Sequence, residues 1–256
     1  MTDFAFIDSG VGGIPYMLEL LKKQPDASCV YVADTANFPY GPKTHQQVVD
    51  CIVPLVEKII SRFEPAVIVV ACNTISVNSL EVLRSKFPQT KFVGTVPAIK
   101  LAAAVSKKRC LGLLATKATC ENPYNLELKN NFAADCTLIC RPDGELVSFI
   151  EKNAFTATKQ ECLDAVKPAV EFFRQKNCDV IILGCTHFLN FTEVFKEACG
   201  NDIQIVDSVD GVVRHALEVA ELSLTNCAPS LFITGEFNDS YEVICSRYKI
   251  NFVGKI

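Results

Sequence analysis

Two cysteines, Cys72 and Cys185, stand in this chain where side chains can act on a ligand. Cys72 ends the run Val67-Ile68-Val69-Val70-Ala71 and leads into Asn73-Thr74; Cys185 ends Val180-Ile181-Ile182-Leu183-Gly184 and leads into Thr186-His187. The two copies lie 113 positions apart, near the middle of each half. A continuous β-branched run reads as a strand buried on both faces of a parallel sheet, and the carboxyl ends of such strands face the ligand crevice. A thiol there becomes a useful base when a helix N-terminus, a cation or a histidine favours its thiolate. Three chemistries follow: one cysteine is a nucleophile with His187 as base, or both form a dithiol, or they flank a substrate. In the last case one removes a proton while the other supplies one to the opposite face. Only that case uses the repetition.

Abstracting a weakly acidic Cα proton also calls for groups that position and tune the thiols, and Asp8, Glu151 and His187 are candidates. Asp8 ends the strand Phe4 to Ile7 and opens the turn Asp8-Ser9-Gly10-Val11-Gly12-Gly13, which feeds a helix beginning at Ile14-Pro15. A glycine-rich turn at a helix start presents free N–H groups to an anion. Gly10-x-Gly12 and Asp34 have the spacing of a dinucleotide fingerprint, but Pro15 replaces its third glycine. Phe38-Pro39-Tyr40-Gly41-Pro42 is a stiff loop able to hold a ligand.

The elements that must carry these residues alternate throughout. Helices are expected over Thr44 to Arg62, kinked near Pro54, over Ser76 to Lys86, from Pro97, over Leu146 to Asn153, and over Lys159 to Gln175 with a kink or break at Pro168. Strands are expected at Cys29 to Ala33, Lys91 to Gly94, Cys110 to Ala115 and Cys136 to Cys140, with Arg141 to Gly144 as a turn. Phe188 to Ala198 reads as one helix and Ile203 to Val206 as a strand. The chain then closes with a helix opened by Asp207-Ser208, a strand at Leu231 to Thr234 and a helix over Phe237 to Tyr248. The segment Cys110 to Thr119 repeats Phe4 to Ser9 about 108 positions later, which reads as a duplicated fold. The fold class is therefore α/β, with two similar domains, each a mainly parallel sheet flanked by helices. No Ser/Gly/Pro-rich linker divides them, so the halves are expected to be tightly apposed with the site between them.

With 256 residues, 49% apolar and 21% charged, the chain can bury a sizeable core. A net charge of −4 argues against a general nucleic-acid binder or a basic membrane-surface protein. The first nine residues carry no positive charge, and no run approaches the ~18 apolar residues of a membrane span, so a cytoplasmic protein is expected. Thirteen cysteines, an odd number without Cys-x-x-Cys, and three histidines argue against a disulfide framework or a metal site. Most of the cysteines, such as Cys29, Cys110 and Cys178, read as small buried hydrophobes.

Together these segments resemble the glutamate racemases, cofactor-independent members of the aspartate/glutamate racemase superfamily. The resemblance rests on Asp8 to Gly13, Asp34 with Pro39-Tyr40-Gly41, Ala71 to Thr74, Ala115-Thr116 with Thr119, and Gly184 to His187, in order from residue 8 to about 208. It implies two α/β domains related by pseudo-twofold symmetry around the substrate. These are expected to be residues 1–95 plus 208–256, carrying Asp8 and Cys72, and residues 96–207, carrying Glu151, Cys185 and His187. It also implies interconversion of L- and D-glutamate without pyridoxal or a metal, with D-glutamate feeding peptidoglycan, and it allows a homodimer. Cys72 would act on the D-isomer with Asp8 assisting, and Cys185 on the L-isomer with His187 and Glu151 assisting. Asp8, Ser9, Tyr40, Gly41, Asn73, Thr74, Thr116, Thr119, Thr186 and His187 would hold the substrate. The chain departs from the family at Leu189-Asn190, where the family has an aromatic residue and proline. It departs again at Asn122, where serine is usual, and over Arg141 to Glu145, a longer connection that bears on the placement of Glu151.

Overall fold

The structure, a computed structural model, describes residues 2–153 and 155–256. In chain order the strands are β1 (Thr2–Asp8), β2 (Cys29–Ala33), β3 (Pro65–Val70), β4 (Lys91–Gly94), β5 (Cys110–Ala115), β6 (Thr137–Pro142), β7 (Val180–Leu183), β8 (Gln204–Val206), β9 (Ser230–Ile233) and β10 (Asn251–Lys255). The helices are α1 (Ile14–Lys23), α2 (His45–Phe63), α3 (Asn73–Lys86), α4 (Ile99–Val105), α5 (Lys117–Cys120), α6 (Tyr124–Phe132), α7 (Gly144–Asn153), α8 (Lys159–Gln175), α9 (Thr186–Leu189), α10 (Thr192–Cys199), α11 (Val209–Val219) and α12 (Ser240–Tyr248). They divide between two compact units, Met1–Thr95 with Val209–Ile256, and Val96–Ser208.

The first unit is a six-stranded parallel sheet in the order β10-β9-β2-β1-β3-β4. Ala5 and Ile7 of β1 join Ile68 and Val70 of β3 in a core with Val48, Ile52, Val56 and Ile59 of α2. The alternate residues Phe4 and Phe6 are equally buried, so β1 is covered on both faces. The second unit is a four-stranded parallel sheet, β6-β5-β7-β8, whose core joins Leu111, Leu113 and Ile182 to Ile99 and Ala102 of α4. Its winding repeats the β2-β1-β3-β4 core of the first, as the duplicated motifs require. In both, the order reverses between the strand ending at Asp8 or Ala115 and the strand preceding Cys72 or Cys185. That reversal is the place where open α/β sheets take ligands.

Several boundaries differ from the sequence expectation. The helix after Cys72 begins at Asn73, three residues before the expected Ser76, because Cys72 itself is extended (φ −147°, ψ 119°) and serves as N-cap. The expected turn at Arg141 to Gly144 is not one: Arg141 and Pro142 belong to β6 and Gly144 opens α7. β6 is an edge strand, where a proline's missing donor costs no ladder hydrogen bond. The single helix expected over Phe188 to Ala198 is two, separated at Asn190-Phe191, where Phe191 leaves helical geometry (φ −110°, ψ 16°). α6 and the terminal strand β10 were not expected, and the last helix begins at Ser240 rather than Phe237. α8 runs unbroken through Pro168, and α2 through Pro54; both prolines are exposed, where the carbonyl freed one turn back can be hydrated. Thr44 and Thr158 start these two helices through capping boxes with Gln47 and Glu161.

Among the described residues no helix is long and apolar enough to cross a membrane, and no group of three or more His, Cys, Asp or Glu side chains is placed to hold a metal ion. All thirteen cysteines are free thiols, with Cys140 and Cys227 exposed and Cys110 half-buried rather than buried. Burial pushes the Cys29 and Cys178 thiols up to about 12, as befits small core side chains.

Candidate active site

In the first unit, β1 pairs with β3 up to Ile7↔Val70, so Asp8 and Cys72 occupy adjoining strand ends. The Asp8 carboxylate is fully buried and is held by its own turn. Oδ1 accepts from the Ser9 N–H (2.7 Å) and Oδ2 from the Gly13 N–H (2.8 Å), with the Tyr31 hydroxyl 3.4 Å away. Gly13 needs to be glycine because a Cβ there would come within 2.5 Å of the Ala71 carbonyl oxygen. The turn therefore rests on the residue directly before Cys72.

Cys72 is 5% exposed and caps the fourteen-residue α3, whose N-terminal dipole has the sign that favours a thiolate over a thiol. Asn73 and Thr74 follow in the first helical turn, both buried, and the Asn73 Oδ1 has no hydrogen-bond partner. A buried acceptor without a partner is costly unless a ligand supplies the donor. Ser9 lies beside Asp8, also buried.

Asp34 follows β2, its N–H donating to the Asp8 carbonyl (2.8 Å). Its carboxylate collects the Tyr40 hydroxyl, the Asn37 amide (3.0 Å) and the Thr234 hydroxyl (2.7 Å). This buried knot ties the Tyr40-Gly41 loop to the end of β9 and leaves the dinucleotide reading of Asp34 without support. Burial and the neighbouring Asp34 carboxylate push the Tyr40 phenol well above its ordinary value, so Tyr40 stays neutral.

In the second unit, Cys185 is 6% exposed, extended (φ −136°, ψ 137°), and caps the short helix α9. Its Sγ lies 3.7 Å from His187 Nδ1, and His187 Nε2 lies 2.8 Å from Glu151 Oε2 on α7. Burial opposes a charge on His187, but hydrogen bonds to Cys185 and Glu151 and their negative charge outweigh it, raising the imidazole well above its ordinary value. The result is a Glu-His-Cys array in which the imidazolium can stabilise a thiolate. Thr186 is buried next to it. Thr116 caps α5 by accepting from the Thr119 N–H (3.3 Å), and its hydroxyl donates to Thr119 Oγ1 (3.1 Å).

The structure thus brings Asp8, Ser9, Cys72, Asn73 and Thr74 together in one unit. In the other it joins Cys185, Thr186, His187 and Glu151, and separately Thr116 with Thr119. Tyr31 and Asn125 escaped the sequence reading. Tyr31 lies in a run that reads as plain core strand. Asn125, whose amide donates to the Thr119 carbonyl, falls in a helix the sequence pattern did not reveal. The Asn125 Oδ1 is likewise buried without a partner.

Comparison with known proteins points the same way. Residues 14–216 match the family model described as Asp/Glu/Hydantoin racemase. A glutamate racemase of Treponema pallidum is 39% identical over 216 residues, covering 84% of this chain and 80% of the relative. One from Proteus mirabilis is 38% identical over 208 residues, covering 81% and 72%. The crystal structure of Escherichia coli glutamate racemase, in complex with L-glutamate and the activator UDP-MurNAc-Ala, superposes with a TM-score of 0.87 at 29% identity, covering 100% of this chain and 98% of that one.

Proposed function

The chain belongs to the Asp/Glu/Hydantoin racemase family, and on that premise we propose that it interconverts L- and D-glutamate by proton transfer at the α-carbon between two cysteines. The observation that carries this reading is the pair of buried thiols, each at a strand end and each near ionisable groups, Asp8 on the strand end adjoining Cys72 and the His187-Glu151 pair against Cys185. The close relatives named as glutamate racemases support the substrate.

In this reading residues 1–95 with 208–256 form the domain that serves Cys72, and residues 96–207 the domain that serves Cys185. Starting from L-glutamate, the Cys185 thiolate takes the α-proton while the Cys72 thiol delivers one to the other face, giving D-glutamate; the return reaction exchanges the roles. The enzyme ends each turnover with the opposite thiol protonated. His187, held by Glu151, steadies the Cys185 thiolate, and Asp8 assists Cys72. Ser9, Tyr40-Gly41, Asn73, Thr74, Thr116, Thr119 and Thr186 bind the carboxylates and ammonium through hydroxyl, amide and backbone groups, which avoids a cation that would compete for the thiolates. The unpaired Asn73 Oδ1 is suited to accept from the substrate ammonium. No cofactor enters the reaction. The enzyme works in the cytoplasm and its D-glutamate supplies peptidoglycan.

The test is racemisation of L-glutamate by the purified protein in D₂O without added cofactor. Deuterium is expected at the α-carbon of the product. The Cys72→Ser and Cys185→Ser variants should each lose about 10³-fold, the general acid–base contribution of one thiol. Exchange confined to the aspartate α-carbon when L-aspartate is offered would replace glutamate as substrate; full activity in either serine variant would overturn the two-base mechanism.

A further inference from the structure

We propose, resting on the racemase reading, that Tyr31 is a positioning residue of the Cys72 half-site, its buried hydroxyl bracing the Asp8 to Gly13 turn against the strand end that leads to Cys72. Tyr31 belongs to β2, pairs with Phe6 of β1 and is fully buried. A buried phenol must find partners, and this one finds them within a single turn. Its oxygen accepts from the Gly13 N–H (3.0 Å), its hydrogen is donated to the Gly10 carbonyl (3.0 Å), and Asp8 Oδ2 lies 3.4 Å away. The hydroxyl therefore clamps both limbs of the turn. The Gly13 N–H that it receives is the same donor that holds Asp8 Oδ2 at 2.8 Å. On the other side Gly13 abuts residue 71: a Cβ on Gly13 would meet the Ala71 oxygen at 2.5 Å, the Ala71 Cβ at 2.8 Å and the Tyr31 hydroxyl at 2.9 Å. The turn is pinched between the phenol and the residue that precedes Cys72.

A phenylalanine would fill the same space in the core, so the hydroxyl is needed for the turn rather than for the volume. The second unit has no such phenol. There the strand position matching Phe6 is Leu113, and its partner across the ladder is Cys140, which carries no hydroxyl to brace a turn. That half-site has its own support in His187 and Glu151. Tyr31 is what the Cys72 half-site uses to keep the Asp8 carboxylate in place.

Tyr31→Phe tests this. The two enantiomers of glutamate have equal free energies, so kcat/KM must be equal in the two directions and cannot tell which half is damaged. Isotope effects from α-deuterated substrate can. Cys72 removes the label from D-glutamate but only delivers a solvent proton to the carbon of L-glutamate. In Tyr31→Phe we expect kcat to fall about tenfold with KM nearly unchanged, the loss of alignment from one buried hydrogen bond. The isotope effect should rise on D-glutamate and shrink on L-glutamate as the Cys72 step becomes limiting. Isotope effects that stay unchanged, or that move together on both enantiomers, overturn the proposal. If the phenylalanine variant does not fold, 3-fluorotyrosine at position 31 keeps the shape and makes the hydroxyl a stronger donor. A changed ratio of the two isotope effects then supports the role, and an unchanged ratio overturns it. Cys72→Ser run in parallel separates this proposal from its premise. Wild-type racemisation by Cys72→Ser sinks the racemase mechanism, whereas loss in Cys72→Ser with unaltered isotope effects in the Tyr31 variant sinks Tyr31 alone.

Discussion

The Cys72 and Cys185 regions begin alike and are finished differently. Each thiol is about 95% buried, extended and seated as the N-cap of a helix after a buried parallel strand. Cys72 heads a helix of fourteen residues, and its carboxylate neighbour is bound to the backbone of a turn. Cys185 heads only four residues and has instead an imidazole pinned by a distant glutamate. One half sets its thiol between a long helix start and a fixed turn; the other sets its thiol against a side-chain relay. Duplication of the fold duplicated the thiol and left its support to each half separately.

The carboxylates should expose this difference most strongly. Glu151→Gln frees His187 from its charge partner, so racemisation should fall about 10²-fold with a smaller fall in melting temperature than a substitution at Asp8 causes. Asp8→Asn should lose as much activity and also about 1–3 kcal/mol of stability, because its amide hydrogens would face the Ser9 or Gly13 N–H. Kinetics and thermal melts of the two variants side by side decide it, and matched stabilities would erase the contrast between relay and turn.

Glycine substitutions sharpen it at smaller scale. A Cβ on Gly13 meets rigid backbone at 2.5 Å, whereas one on Gly184 meets the Leu113 Cδ1 tip at 2.6 Å and the Leu114 oxygen at 3.1 Å. Gly13→Ala should cost about 2–3 kcal/mol and Gly184→Ala about 1 kcal/mol, since only the second neighbour can rotate away. Urea denaturation of both variants checks the order.

The mildest effect concerns pH. His187 binds its proton more tightly in the folded protein than in the unfolded chain, whose imidazole titrates near ~6.5. Its stabilisation is therefore complete below that value and is lost as pH rises through the higher folded value. Denaturation midpoints measured from about pH 6 upward should fall less steeply in His187→Gln than in wild type. Parallel slopes would show that the relay does not hold the imidazolium.

Much of this was legible in the residues. The runs Val67 to Val70 and Val180 to Leu183 end where their strands end, because consecutive β-branched residues have no other stable home than a doubly covered parallel strand. Cys110 to Ala115 and Lys91 to Gly94 are strands with the bounds their apolar runs predict, and the candidate site residues follow strand ends as expected. Less legible were places where short-range signals conflict. Pro142 predicts a turn, but an edge strand tolerates it; Pro168 predicts a kink or a break, and the helix runs through it without a break on an exposed face.

The sequence alone determined the thiols, their strand ends, the alternating α/β pattern and its repetition, because these follow from composition and period over a few neighbours. Only the tertiary structure decided that Glu151 meets His187 across 36 positions, that Thr234 ties down Asp34 across 200, and that a tyrosine in a core strand spends its hydroxyl on the turn of Asp8. Those contacts are set by which strand lies beside which, and strand order is a property of the whole winding that no local stretch encodes.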